Sequence, residues 1–143
     1  MVSLNRTRKR ASGFTLIELM IVIAMIAILV SIAVPIYTKS VLRAKESALA
    51  QDLYTLRHAI DAFTEDKGKA PQALDELVSS GYLKEMPVDP FTRSRDTWQP
   101  VTEDILQSID QTEPGITDVR SGSTLLGSNG TTYNSWGRSV ANP

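Results

Sequence analysis

Apolar side chains run through residues 14–37 with a single formal charge, Glu18, and residues 19–30 read LMIVIAMIAILV. As a helix, these 24 residues rise about 36 Å, enough to cross a hydrocarbon core of roughly 30 Å. Beyond Tyr37 the pattern changes from apolar all round to apolar on one face. Leu42, Leu49, Leu53, Leu56, Ile60 and Phe63 follow at intervals of 7, 4, 3, 4 and 3, which is the seam of an amphipathic helix. Arg43, Glu46, Asp52, Arg57, Asp61 and Glu65 fall off that seam. No break signal precedes Gly68, so the two patterns predict one helix over residues 14–66, ended by Gly68 as a C-terminal cap. Pro35 is its one flaw: it lacks a backbone donor, and a kink or loosened turn is expected there. The seam marks where a small globular head packs, and it also offers a coiled-coil contact to neighbouring subunits.

The remaining chain is polar and punctuated. Ala70-Pro71 opens a second, shorter helix through Leu74, Leu77 and Val78, stopping at Gly81. Pro87 and Pro90 enforce an extended path up to Phe91. Short apolar pieces at 98–101, 116–119 and 132–136 predict three strands, with Asn129-Gly130 a tight-turn dipeptide. The fold class is therefore α+β. A long N-terminal helix, membrane-spanning first and amphipathic second, packs on a small head with a short helix and a small antiparallel sheet. Three segments follow: a basic leader, 1–13; a transmembrane helix, 14–37; and a head, 38–143, that includes the second half of the long helix.

Charge refines this picture. Of 15 Lys and Arg residues, Arg6, Arg8, Lys9 and Arg10 precede the apolar block, leaving eleven basic against sixteen acidic residues after it. Under the positive-inside bias the leader stays in the cytoplasm and the body is sent outward. The mildly acidic body has no basic stripe to neutralise phosphates, which excludes a nucleic-acid partner. With no Cys and one His, disulfides, Cys-zinc sites and two-histidine metal motifs are excluded. No Gly-x-Ser-x-Gly elbow, Walker loop or Gly-x-Gly-x-x-Gly is present, and nothing argues for an enzyme. His58 reads as a solvated helix position, and Trp98 and Trp136 as core anchors.

Glu18 does not fit a plain anchor. An acid at the centre of a membrane helix costs about 2.5–3.5 kcal/mol on insertion scales. A secretory signal cut after Ala33 is the competing reading, and such a signal has no use for this acid. The sequence around it, Gly13-Phe14-Thr15-Leu16-Ile17-Glu18, closely resembles the cleavage and methylation motif of type IV pilins and type II secretion pseudopilins. In that family a basic leader ends in Gly, the mature chain begins with Phe, and its fifth residue is Glu. The resemblance implies that a prepilin peptidase cuts between Gly13 and Phe14, that Phe14 is N-methylated, and that Glu18 serves assembly and registry.

Further residues sharpen the resemblance. Asp66-Lys67-Gly68-Lys69-Ala70-Pro71, then Gly81-Tyr82-Leu83 and Pro87-Val88-Asp89-Pro90-Phe91, look like the G-type major pseudopilin. That resemblance implies a homo-oligomeric helical filament, short and periplasmic, that drives export of folded proteins across the outer membrane. Its implied partners are the membrane, the peptidase, minor pseudopilins and an inner-membrane assembly platform with its ATPase. Many members also hold a calcium ion in an acid-rich C-terminal loop. Here residues 117–136 offer only Asp118 as a carboxylate, with Asn129, Ser121 and Ser123 as neutral oxygens. Calcium takes six to eight oxygens, so no cofactor is expected and Asp118 and Asn129 are weak candidates. Two other functions remain open: a type IV pilin for adhesion, motility or DNA uptake, and a Sec-exported periplasmic binding module. Many such pilins close their C-terminal loop with a disulfide, which this chain cannot form.

Overall fold

A computed structural model describes residues 13–102 and 114–137. Its elements are α1 (Leu16–Lys67), α2 (Asp75–Ser79), β1 (Gln99–Thr102), β2 (Ile116–Arg120) and a 3-10 turn, η1 (Tyr133–Ser135). The chain divides into two units between Lys39 and Ser40.

In the first unit, α1 is apolar on every side, and its large side chains from Leu16 to Tyr37 are all exposed. It is the one helix among the described residues long and apolar enough to cross a membrane. The helical assignment runs through Pro35 without interruption. Ser31 Oγ donates to the Ile28 carbonyl at 2.7 Å and Thr38 Oγ1 to the Pro35 carbonyl at 3.1 Å, so hydroxyls serve carbonyls on both sides of the missing donor.

The second unit is the head. Leu49, Leu53, Leu56, Ile60 and Phe63 of α1 are all at most 4% exposed, as their spacing predicts. Leu42 departs from the expectation: it is 36% exposed, and the first buried place on this face belongs to Glu46, three residues before Leu49. Against this face pack Leu77, Leu83, Trp98, Ile116, Val119, Tyr133 and Trp136. Full burial of each such leucine contributes about 1.5–3 kcal/mol. His58 is exposed, as read from its position. Gly68, at φ 67°, turns the chain out of α1 in the left-handed region that favours glycine.

The second helix is shorter than its pattern suggests, because the Pro71 carbonyl accepts the Ile116 N–H at 2.8 Å and so stitches to β2. Strands β1 and β2 pair antiparallel, with Gln99 opposite Arg120 and a register shift between Val101 and Thr102. The expected third strand at 132–136 is not one. A single bridge joins Leu126 to Thr132, after which the chain tightens into η1. Tyr133 and Trp136, both buried, explain the difference. Three residues apart, they share a face in a 3-10 turn but would point to opposite faces of a strand. The Asn129-Gly130 turn forms as read, with Gly130 N–H on the Gly127 carbonyl at 3.0 Å and Gly127 N–H on the Thr131 carbonyl at 2.8 Å.

Gly122 marks a close backbone approach: a Cβ there would lie 2.3 Å from the Thr97 carbonyl oxygen. Gly122→Ala is therefore expected to destabilise the head by about 1–3 kcal/mol. Thermal melting of the full chain in detergent measures this, and an unchanged midpoint would refute the contact.

Candidate functional site: the helix start and the polar anchors of the head

Gly13, Phe14 and Thr15 precede the helix, and all three are exposed. The Gly13–Phe14 peptide thus lies in non-helical backbone, the form a protease subsite requires, and nothing lies within 4 Å of a Cβ built on Gly13. Thr15 Oγ1 accepts the Glu18 N–H at 3.3 Å. Thr15-x-x-Glu18 has the spacing of a capping box, with Glu18 in the first turn beside the unpaired N–H groups and the positive dipole end. The Thr15-x-x-Glu18 spacing carries this role, which the hydrophobic pattern alone does not reveal.

In the head, three buried ionisable side chains that the sequence analysis had not placed in the core organise distant segments. Glu46 Oε1 accepts the Ser128 N–H at 2.6 Å and the Tyr133 hydroxyl at 3.0 Å, and its Oε2 accepts the Ser128 hydroxyl at 2.7 Å. Burial alone would raise the Glu46 pKa. The hydrogen bonds from Ser128 and Tyr133, with the Arg43 charge nearby, outweigh it and hold Glu46 below its usual 4.5. Burial and the hydrogen bond to Glu46 push the Tyr133 phenol up to about 12. Arg57 Nε donates to Asp118 Oδ1 at 2.6 Å, and its Nη2 donates to the Val119 carbonyl at 3.0 Å and the Trp136 carbonyl at 2.7 Å.

Asp89, from the Pro-x-Asp-Pro run, is fully buried. Its Oδ1 accepts the N–H groups of Phe91 and Thr92, and its Oδ2 accepts the Ser121 hydroxyl. Its carbonyl accepts the Arg93 N–H at 2.8 Å, closing a turn that stacks Phe91 on Tyr133 at 3.8 Å between ring centroids. Trp98 and Trp136 are core anchors as read. Their indole N–H groups donate to the Pro87 carbonyl and to Thr131 Oγ1, each at 2.9 Å.

The two calcium candidates are committed elsewhere. Asp118 Oδ1 takes Arg57 Nε and the Val119 N–H, while Asn129 Oδ1 takes the N–H and hydroxyl of Thr131. Among the described residues no group of three acidic or histidine side chains could hold a metal ion. Among the described residues, Asp118 and Asn129 are therefore not gathered into a calcium site.

Comparison with known proteins bears on both units. The family described as the prokaryotic N-terminal methylation motif matches residues 8–34. The type II secretion system core protein G of Aeromonas hydrophila is 33% identical over 100 residues, covering 59% of this chain and 70% of that protein. The core protein G of Escherichia coli K12 is 30% identical over 102 residues, covering 60% and 70%. The type IV major pilin protein PilA of Myxococcus xanthus is 40% identical over 73 residues, covering 51% of this chain and 33% of the pilin. No solved structure matches significantly. These relatives are secretion core proteins and a pilin, not enzymes, and the apolar helix with its methylation motif fits an anchor in the inner membrane. With 70% of the Aeromonas protein covered at 33% identity, this chain belongs to the type II secretion system core protein G family.

Proposed function

We propose that this chain is the major subunit of a type II secretion pseudopilus. The observation that carries it is a methylation motif at an exposed helix start, joined through one unbroken helix to a core-protein-G head. A prepilin peptidase removes residues 1–13 and methylates Phe14. The apolar helix, 14–37, holds the subunit in the inner membrane with the head, from residue 38, in the periplasm. An assembly platform and its ATPase then add subunits to a helical filament begun by minor pseudopilins. Pro35, lacking a backbone donor, lets the helix bend during that transfer.

Processing has a direct test. Gly13→Val places a β-branched side chain where the protease needs unhindered backbone, and is expected to leave an inserted precursor of full mass. Edman sequencing and mass measurement of the native chain should give methylated Phe14. Val34 as the first residue would instead support a soluble module cut from a secretory signal. The likeness to PilA favours a second reading, a type IV pilin. Deleting the gene separates the two: lost export of folded exoproteins supports the pseudopilus, while lost surface pili with intact export supports the pilin.

A further inference from the structure

The C-terminal loop of the head, residues 121–137, carries no carboxylate of its own. Carboxylates reach it from elsewhere, Asp89 through Ser121 and Glu46 through Ser128 and Tyr133. Asp118, just before the loop, is held by Arg57. What the loop presents to Glu46 is therefore hydrogen: one amide N–H, one serine hydroxyl and one phenol hydroxyl, shared over both carboxylate oxygens. A loop that holds calcium presents oxygen lone pairs to a cation. This one presents donors to an anion, the opposite polarity. Replacing the carboxylate by a dication would leave the Ser128 N–H facing positive charge and force both hydroxyls to turn their lone pairs towards it.

We infer that this head fastens its C-terminal loop with the Glu46 carboxylate of α1, in the structural role that the family resemblance implies for a calcium ion. Three placements support the assignment. Glu46 lies on the buried face of α1, one turn before Leu49, and is 9% exposed. Its partners Ser128 and Tyr133 lie 82 and 87 residues away in sequence, so the contact closes most of the head into one loop of chain. Tyr133 is itself locked between Phe91, stacked at 3.8 Å, and Trp136, edge-on at 5.2 Å, which fixes its hydroxyl where Glu46 needs it. Leu125 and Leu126, 60% and 66% exposed, stand on the same loop and report whether it is held.

Such a fastening ignores calcium and responds to acid. The groups that act on Glu46 are Ser128 and Tyr133 from the loop and Arg43 from its own helix, and together they lower its pKa from 4.5. A lowered carboxylate contributes stability that is complete above its unfolded value and lost as pH falls through the folded one. Tyr133, raised to about 12, contributes stability that is complete below 10 and lost as pH rises towards 12. Asp52 works against Glu46: burial and the Asp89 charge raise its pKa, so protonation on acidification favours the folded head there.

The test uses the full chain in detergent, with calcium chloride or a chelator at about millimolar concentration, read by melting and by chymotrypsin cleavage at Leu125 and Leu126. Wild-type protein is expected to melt and resist cleavage identically in both solutions. Glu46→Gln, which removes the anion but keeps the shape, should speed cleavage several-fold in both and reduce the acid-induced loss of protection. Ser128→Ala removes one donor while keeping the backbone N–H, and should move in the same direction by less. It keeps the test decisive if Glu46→Gln fails to fold. A chelator that lowers the wild-type midpoint by several degrees would show an ion bound to the native state and overturn the inference. Wild-type protection in both variants would overturn it equally. Because every readout concerns the head alone, these outcomes do not depend on filament assembly.

Discussion

Arg57→Met is expected to lower the melting midpoint of the head by roughly 12 °C or more. Arg57 is 8% and Asp118 13% exposed in their side chains. Methionine matches the apolar stem of arginine but donates nothing. It leaves the Asp118 carboxylate without its cation and strips the Val119 and Trp136 carbonyls of a donor. Removing one partner of a buried pair typically costs 3–5 kcal/mol, against a total stability on the order of 5–15 kcal/mol. For a domain of this size each kcal/mol shifts the midpoint by about 4–8 °C. Near-ultraviolet dichroism of Trp98 and Trp136, both in the core, follows the head without interference from the apolar helix. Adding Asp118→Asn to Arg57→Met should recover part of the loss, because it removes the stranded charge. A single variant that melts within two or three degrees of wild type would show that the ion pair is incidental.

Glu18→Val should be inserted and cut like the native chain, yet build filaments poorly. Two effects of the substitution can be separated by size. Loss of the acid from the first turn of α1 costs about 0.3–1 kcal/mol through the helix dipole, too little to abolish a filament. The proposed cut before Phe14 would create a charged amine four residues from Glu18, roughly 6 Å along the axis. In the proposed filament, a neighbour displaced along that axis would present its amine to the same carboxylate. Leaving a charge unpaired there costs about 3–5 kcal/mol, roughly a hundredfold or more in the equilibrium for adding a subunit. Glu18→Asp, one methylene shorter, should be intermediate. The yield of sheared filaments, set beside the level of mature protein, measures the effect. Normal filaments from Glu18→Val would remove Glu18 from assembly and leave it with the helix start alone.

Much of the architecture was legible because it rests on period. The apolar block, the seam from Leu49 to Phe63 and the stop at Gly68 need only local spacing, and the boundaries of α1 agree within two residues. The polar anchors were not legible for the opposite reason. Arg57 meets Asp118 and Trp136 across 61 and 79 residues, and no local pattern encodes such a pairing. Glu46 was closer to reach. It stands at helical spacing before Leu49, but a charged residue next to the more distant Leu42 is read by default as solvated. The missed turn at Tyr133 arose similarly: the run from Thr132 to Trp136 has the aromatic content of a strand, while the three-residue spacing from Tyr133 to Trp136 obeys the tighter period.

The placement of Glu46 and Arg57 also has a consequence for mechanical load on this head. Eleven positions, roughly 16 Å of helix, separate the two anchors, and each makes three hydrogen bonds to the later part of the chain. A force applied to that surface therefore enters the rod at two points at once. Bonds strained in parallel fail together at a high force, whereas bonds strained in sequence open one by one at a low one. A subunit built to push would gain from the parallel arrangement, and cutting either anchor should turn a brittle, high-force rupture into a soft, stepwise peel.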